Sequence, residues 1–112
     1  MARICAVAQT TWERDKWTQR FQGLALEVLE DLLSRTGLTF AEDGGIGMSI
    51  SVSDDIFDAR TISDNAMTDV LGAHMGCEEK VAQEGLQALY YGLAAIRSGH
   101  VDVVLVLGHC KE

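Results

Sequence analysis

The chain's three cysteines and three histidines are its most reactive residue types, and their spacing rules out most of the chemistry open to them. Cys5, Cys77 and Cys110 are widely and irregularly spaced, with no C-x-x-C pair. Neither a disulfide framework nor a zinc site is expected from that pattern, and no metal ligand is assigned. The expectation is reduced, mostly buried thiols. His109 and Cys110 are adjacent, but neighbouring side chains at a strand end point in different directions, so they do not read as a nucleophile–base dyad. Asp54, Asp55 and Asp58 lack the D-x-D-x-D-G spacing of a calcium loop and read as a solvated acidic loop. A loop at the carboxyl end of a parallel strand is nonetheless where α/β proteins bind ligands or partners, which keeps 54–61 of interest. His74 and His100 fall in turns and read as surface residues. Gly44-Gly45-Ile46-Gly47 leads into a strand instead of opening a helix, so it fails as a phosphate loop. Trp12 and Trp17 mark either an interface or a loop packed on its own domain. The most informative stretch is the last third, Val81-Ala82-Gln83-Glu84-Gly85-Leu86-Gln87-Ala88-Leu89 continuing to Ser98-Gly99-His100 and an apolar run ending at Gly108.

The elements around these residues are bounded by composition. A chain of 112 residues holds one domain. Its 47% apolar and 23% charged residues are ordinary for a packed globular protein. No apolar run reaches the ~20 residues that span a bilayer. The apolar opening is too short for a signal peptide and reads as a strand. A soluble, cytoplasmic protein is expected, with no membrane partner. The net charge of −8 also opposes binding to nucleic acid or to an anionic membrane. Nine Lys and Arg residues supply few candidates for gripping the phosphates of an acyl-CoA.

Residues 3–8 alternate Ile4, Ala6, Ala8 against Cys5, Val7 and read as a first strand, apolar on both faces. Phe21, Leu24, Ala25, Val28, Leu32 and Leu33 recur at three- and four-residue steps, so 18–35 is expected to be an amphipathic helix stopped at Gly37. From 46 to 53, Ile46, Met48, Ile50 and Val52 alternate with Gly47, Ser49, Ser51 and Ser53, a period-two strand with one small face. That small face implies close packing or nearby solvent. A short helix is expected over 63–71 and a short strand over 79–82. The helix over 84–98 carries a large apolar stripe (Leu86, Leu89, Tyr90, Leu93) and a small one (Gly85, Ala88, Gly92, Ala95). Apolarity all round implies burial on all sides. Two glycines in its interior cost about 1 kcal/mol each against alanine, which close backbone packing must offset. A core strand over 101–107 completes the order. Helices alternating with buried strands imply an α/β fold with a mainly parallel sheet.

Three segments together resemble the N-terminal half of the thiolase superfamily, particularly its lipid-transfer-type acetyl-CoA acetyltransferases. Ile4-Cys5-Ala6-Val7-Ala8-Gln9-Thr10 is similar to that family's first strand and turn. The run from Ser53 to Ser63 is similar to a loop in one subgroup. Gly85-Leu86-Gln87-Ala88 and the Ser98-Gly99-His100 turn resemble the nucleophile helix and its exit. The resemblance implies a half of an αβαβα fold, in which two sheets sandwich two central helices, one of them 84–98. It also implies an acyl-CoA substrate and no resident cofactor.

Thiolase chemistry uses a thiolate at a helix N-terminus and backbone N–H groups that hold the oxyanion. The aligned position here is Ala82, which has no reactive atom, and Cys77 lies five residues too early. The remaining family site residues belong to a C-terminal half that this sequence lacks. No catalytic residue is therefore assigned, and the substrate contacts are unknown. The ending just after a core strand is expected of a fragment, a split subunit or one ordered part of a longer protein. The expected function is a thiolase-like subunit or fragment of an acyl-CoA acyltransferase, or of a carbon–carbon bond cleaving or forming complex in lipid metabolism. The alternative is a non-catalytic scaffolding subunit supporting a catalytic thiolase partner. Either is expected to be a homo-oligomer, or a hetero-oligomer with that partner, whose interface includes Glu79, Lys80, Val81, Ala82 and Leu86.

Overall fold

The strand β1, Met48–Ser53, forms the centre of the molecule, and all six of its residues are buried. A strand buried on both faces must be covered by a layer on each side. The computed structural model describes residues 1–14, 16, 18–41, 43–53, 67–72, 76–82 and 84–109. Around β1 it arranges helix α1 (Phe21–Thr36), strand β2 (Glu78–Ala82), helix α2 (Gly85–Arg97) and strand β3 (Val104–Gly108). The sheet order is β2-β1-β3 and both pairings are parallel. Ser51 lies opposite Lys80 on one side and Leu107 on the other. The sheet thus has the parallel α/β character expected, with three strands.

Two apolar clusters sandwich the sheet. On one face Phe21, Ala25 and Leu29 of α1 meet Leu105 and Leu107 of β3, with Met67 and Leu71 from the turn over 67–72. The three α1 residues are spaced i, i+4, i+8, one stripe of a helix. On the other face Met48, Ile50 and Val52 meet Ala88 of α2, with Val81, Ala95, Val104 and Val106 around them. Ile50, Met67, Leu71 and Ala88 are fully buried. Each large side chain so buried contributes roughly 1.5–3 kcal/mol.

The local signals explain the boundaries of α1. Its C-terminus is closed by Gly37 in the left-handed region, φ 72°, whose N–H bonds Leu33 O at 2.8 Å. That is the residue expected to stop it, since glycine bears no Cβ penalty there. The N-terminus starts at Phe21, three residues later than the periodicity implied, at Arg20, which makes no side-chain cap.

One expected strand is absent. Residues 3–8 form no strand, and Ile4 and Val7 are 71% and 68% exposed. β3 pairs directly with β1, and β2 takes its other flank, so no place beside the central strand remains. Apolar alternation supplies propensity but not a partner edge. The segment touches the fold where the Arg35 Nη2 donates to Val7 O at 2.7 Å. In the helix expected over 63–71, only the end is described, a turn with the Leu71 N–H on Met67 O at 2.9 Å. The acidic loop with Asp54, Asp55 and Asp58 lies outside the described residues.

Candidate functional site

Two regions bear on function, the carboxyl edge of the sheet and the outer face of α2. At the edge, the parallel register carries β1 and β3 to a common level. The His109 N–H bonds Val52 O at 3.0 Å, extending the ladder one step beyond β3. Ser53 pairs in register with Ala82 on β2. The His109 ring stacks on Phe21, with centroids 5.1 Å apart and planes inclined by 23°. Lys80 Nζ donates to Ser53 Oγ across the β1–β2 pair. Ser53 is itself buried, 3% exposed. This contact does not activate the serine, because an ammonium donates only and has no lone pair to take the hydroxyl proton. A pocket of about 40 Å³ lies at the opposite end of β1, lined by residues including Phe40, Ile46, Ser49 and Cys77. Small-molecule sites run to ~300–1,000 Å³, so this one holds no acyl-CoA.

The face of α2 is governed by its two stripes. Ala88 and Gly92 are buried and Ala95 half-buried, an i, i+4, i+7 row lying on β1 and β3. A Cβ on Gly92 would stand 3.2 Å from Val104 Cγ1 and 3.5 Å from both Ile50 Cδ1 and Val106 Cγ2. Hydrogen in place of a side chain is therefore what lets the helix approach the sheet this closely. The large stripe faces away. Leu86 is 61% exposed, Leu89 45%, Tyr90 67% and Tyr91 44%, and only Leu93 is half-buried. The expectation that 84–98 is buried all round is thus corrected: one sheet covers one stripe and leaves the other in solvent.

The residues expected at an interface divide among three environments. Glu79 is exposed, and Val81 packs into the α2-side core. Lys80 lies on the opposite face, with Ser53. The backbone of Ala82 ends β2 and pairs with Ser53. Leu86 opens the exposed stripe in the first turn of α2. The helix starts at Glu84, which is extended and makes no side-chain cap.

The cysteines differ from expectation: Cys5 and Cys77 are free and exposed, not buried. Cys5 lies on the segment outside the sheet, and Cys77 precedes β2. His100 is exposed, as a turn residue should be, whereas His74 and Cys110 lie outside the described residues. Trp12 is 86% exposed, and Trp17 lies outside the described residues. Among the described residues no cluster of His, Cys, Asp and Glu is arranged to hold a metal. No described helix is long and apolar enough to cross a membrane. The Lys80–Ser53 contact and the Phe21–His109 stack were not foreseeable, because each joins residues far apart in sequence through a register that only the folded sheet defines.

Searches against protein-family models, curated proteins and solved structures find no match to this chain.

Proposed function

We propose that this chain is a non-catalytic association subunit of thiolase-like type, whose α2 face is covered by another polypeptide in the working assembly. The observation that carries the reading is the exposed stripe Leu86, Leu89, Tyr90, set on a helix whose other stripe already fills the sheet. Apolar surface of that kind, concentrated on one element, marks an interaction site. Any acyl-CoA chemistry belongs to the partner. The position matching the family's nucleophile is Ala82, and the Lys80 ammonium donates to Ser53 Oγ instead of taking its proton. The parallel order of β1, β2, α2 and β3 favours the thiolase-like resemblance, and the unpaired segment 3–8 weighs against it.

Two measurements test the reading. After incubation with acetyl-CoA, mass spectrometry should find no acetyl adduct on this chain; a stable adduct chased off by free CoA overturns the non-catalytic assignment. In sedimentation at micromolar concentration, the chain should run as an oligomer, either alone or mixed with a thiolase-type subunit bearing the cysteine. A folded monomer in both samples overturns the association assignment.

A further inference from the structure

We propose that the cover on α2 is the α2 helix of a second copy, packed antiparallel about a twofold axis at Tyr90; this rests on the association reading above. The first argument is charge. The molecule carries −8, yet no charged residue occurs between Glu84 and Arg97, twelve positions in succession. Like-charged copies repel over most of their surfaces, and this strip lets two copies approach without setting like charges side by side.

The second argument is symmetry. An acidic residue, Glu84, stands at one end of the strip and a basic one, Arg97, at the other, and both are exposed. A parallel pairing sets like charges together. An antiparallel pairing centred on Tyr90 brings that residue onto its own mate and Leu86 opposite Ala94, and it sets each Glu84 opposite Ile96, one position from the Arg97 of the second copy. A twofold interface demands this self-complementarity of a single patch.

The third argument is shape. Leu86, Tyr90, Leu93 and Arg97 fall at i, i+4, i+7 and i+11, one line along the helix over about 16 Å at 1.5 Å per residue. Leu93, half-buried at the foot of this line, and the large Tyr90 beside it give ridges that seat in the grooves of an identical helix. Tyrosine is enriched at the centres of such contacts because its ring buries much area and its hydroxyl remains satisfied at the rim.

The experiment uses the full chain with Cys5, Cys77 and Cys110 replaced by serine. In that background Tyr90→Cys should form a disulfide-linked dimer under mild oxidation, because residues on the axis come within bridging distance, whereas Ser98→Cys should not. Glu84→Arg and Arg97→Glu should each raise the dimer dissociation constant roughly three- to tenfold, and the double reversal should restore it. A dimer that fails both the cross-linking and the restoration overturns the antiparallel α2 pairing. A chain that is monomeric alone but binds a different polypeptide through Leu86 and Tyr90 overturns the second copy and leaves the association reading standing. A folded monomer that binds nothing there overturns both.

Discussion

Ser49 and Ser51 stand two residues apart on the same buried face of β1, yet their hydroxyls differ in what they find. Ser49 Oγ donates to Leu71 O at 3.2 Å, tying the strand to the turn over 67–72. Ser51 Oγ is buried with no hydrogen-bond partner among the described residues. A buried hydrogen bond contributes about 0.5–1.5 kcal/mol net, while an unsatisfied hydroxyl costs free energy where it stands. Ser49→Ala should therefore lower stability by about 1 kcal/mol, and Ser51→Ala should leave it unchanged or raise it. Urea denaturation of the two variants checks the contrast, and an equal loss in both would show that Ser51 bonds to something in solution. On the opposite side of the sheet a Cβ on Gly92 would already press on Val104, so the larger Gly92→Leu should destabilise by about 1–3 kcal/mol through overpacking against Val104 and Ile50.

At the scale of elements, the two helices take opposite sides of one sheet, and most of this was legible in the residues. The i, i+4 steps of Phe21, Ala25 and Leu29 marked α1, Gly37 marked its end, and the serine alternation marked β1. The small stripe of α2 was visible as a device for close packing. What the sequence could not supply was partnership. The alternation in 3–8 has the same period as a strand, but which flank of β1 remains free depends on β3, about a hundred residues later. Exposure of the large α2 stripe likewise depends on how many sheets are present to cover it. A truncation isolates this point. Deleting residues 2–8 should shift the urea midpoint little, because Ile4 and Val7 are exposed and the segment is held by one described side-chain hydrogen bond, from Arg35. A collapse of the fold on truncation would mean that the segment pairs as a strand after all.

At the scale of the whole molecule, charge and burial oppose each other. A net charge of −8 on so small a chain makes approach of two copies costly at low salt. Raising ionic strength from about 0.01 M to about 0.15 M shortens the screening length from ~30 Å to ~8 Å, so self-association through the neutral α2 strip should tighten. Sedimentation equilibrium across that range measures the trend, and weakening with salt would mean that ion pairs dominate the contact. The order β2-β1-β3 also has a consequence in time. Both pairings of β1 are parallel, so neither is a hairpin that closes on itself. Its partners sit about 29 and 56 positions further along, from Ser51 to Lys80 and to Leu107. Loop closure over such separations must precede any strand contact, which slows folding relative to chains rich in local contacts. During synthesis β1 waits, with its apolar face uncovered, until the last of these residues leaves the ribosome. Refolding should accordingly show helix signal appearing well ahead of sheet, and chaperone dependence should fall on the interval in which β1 has emerged and β3 has not.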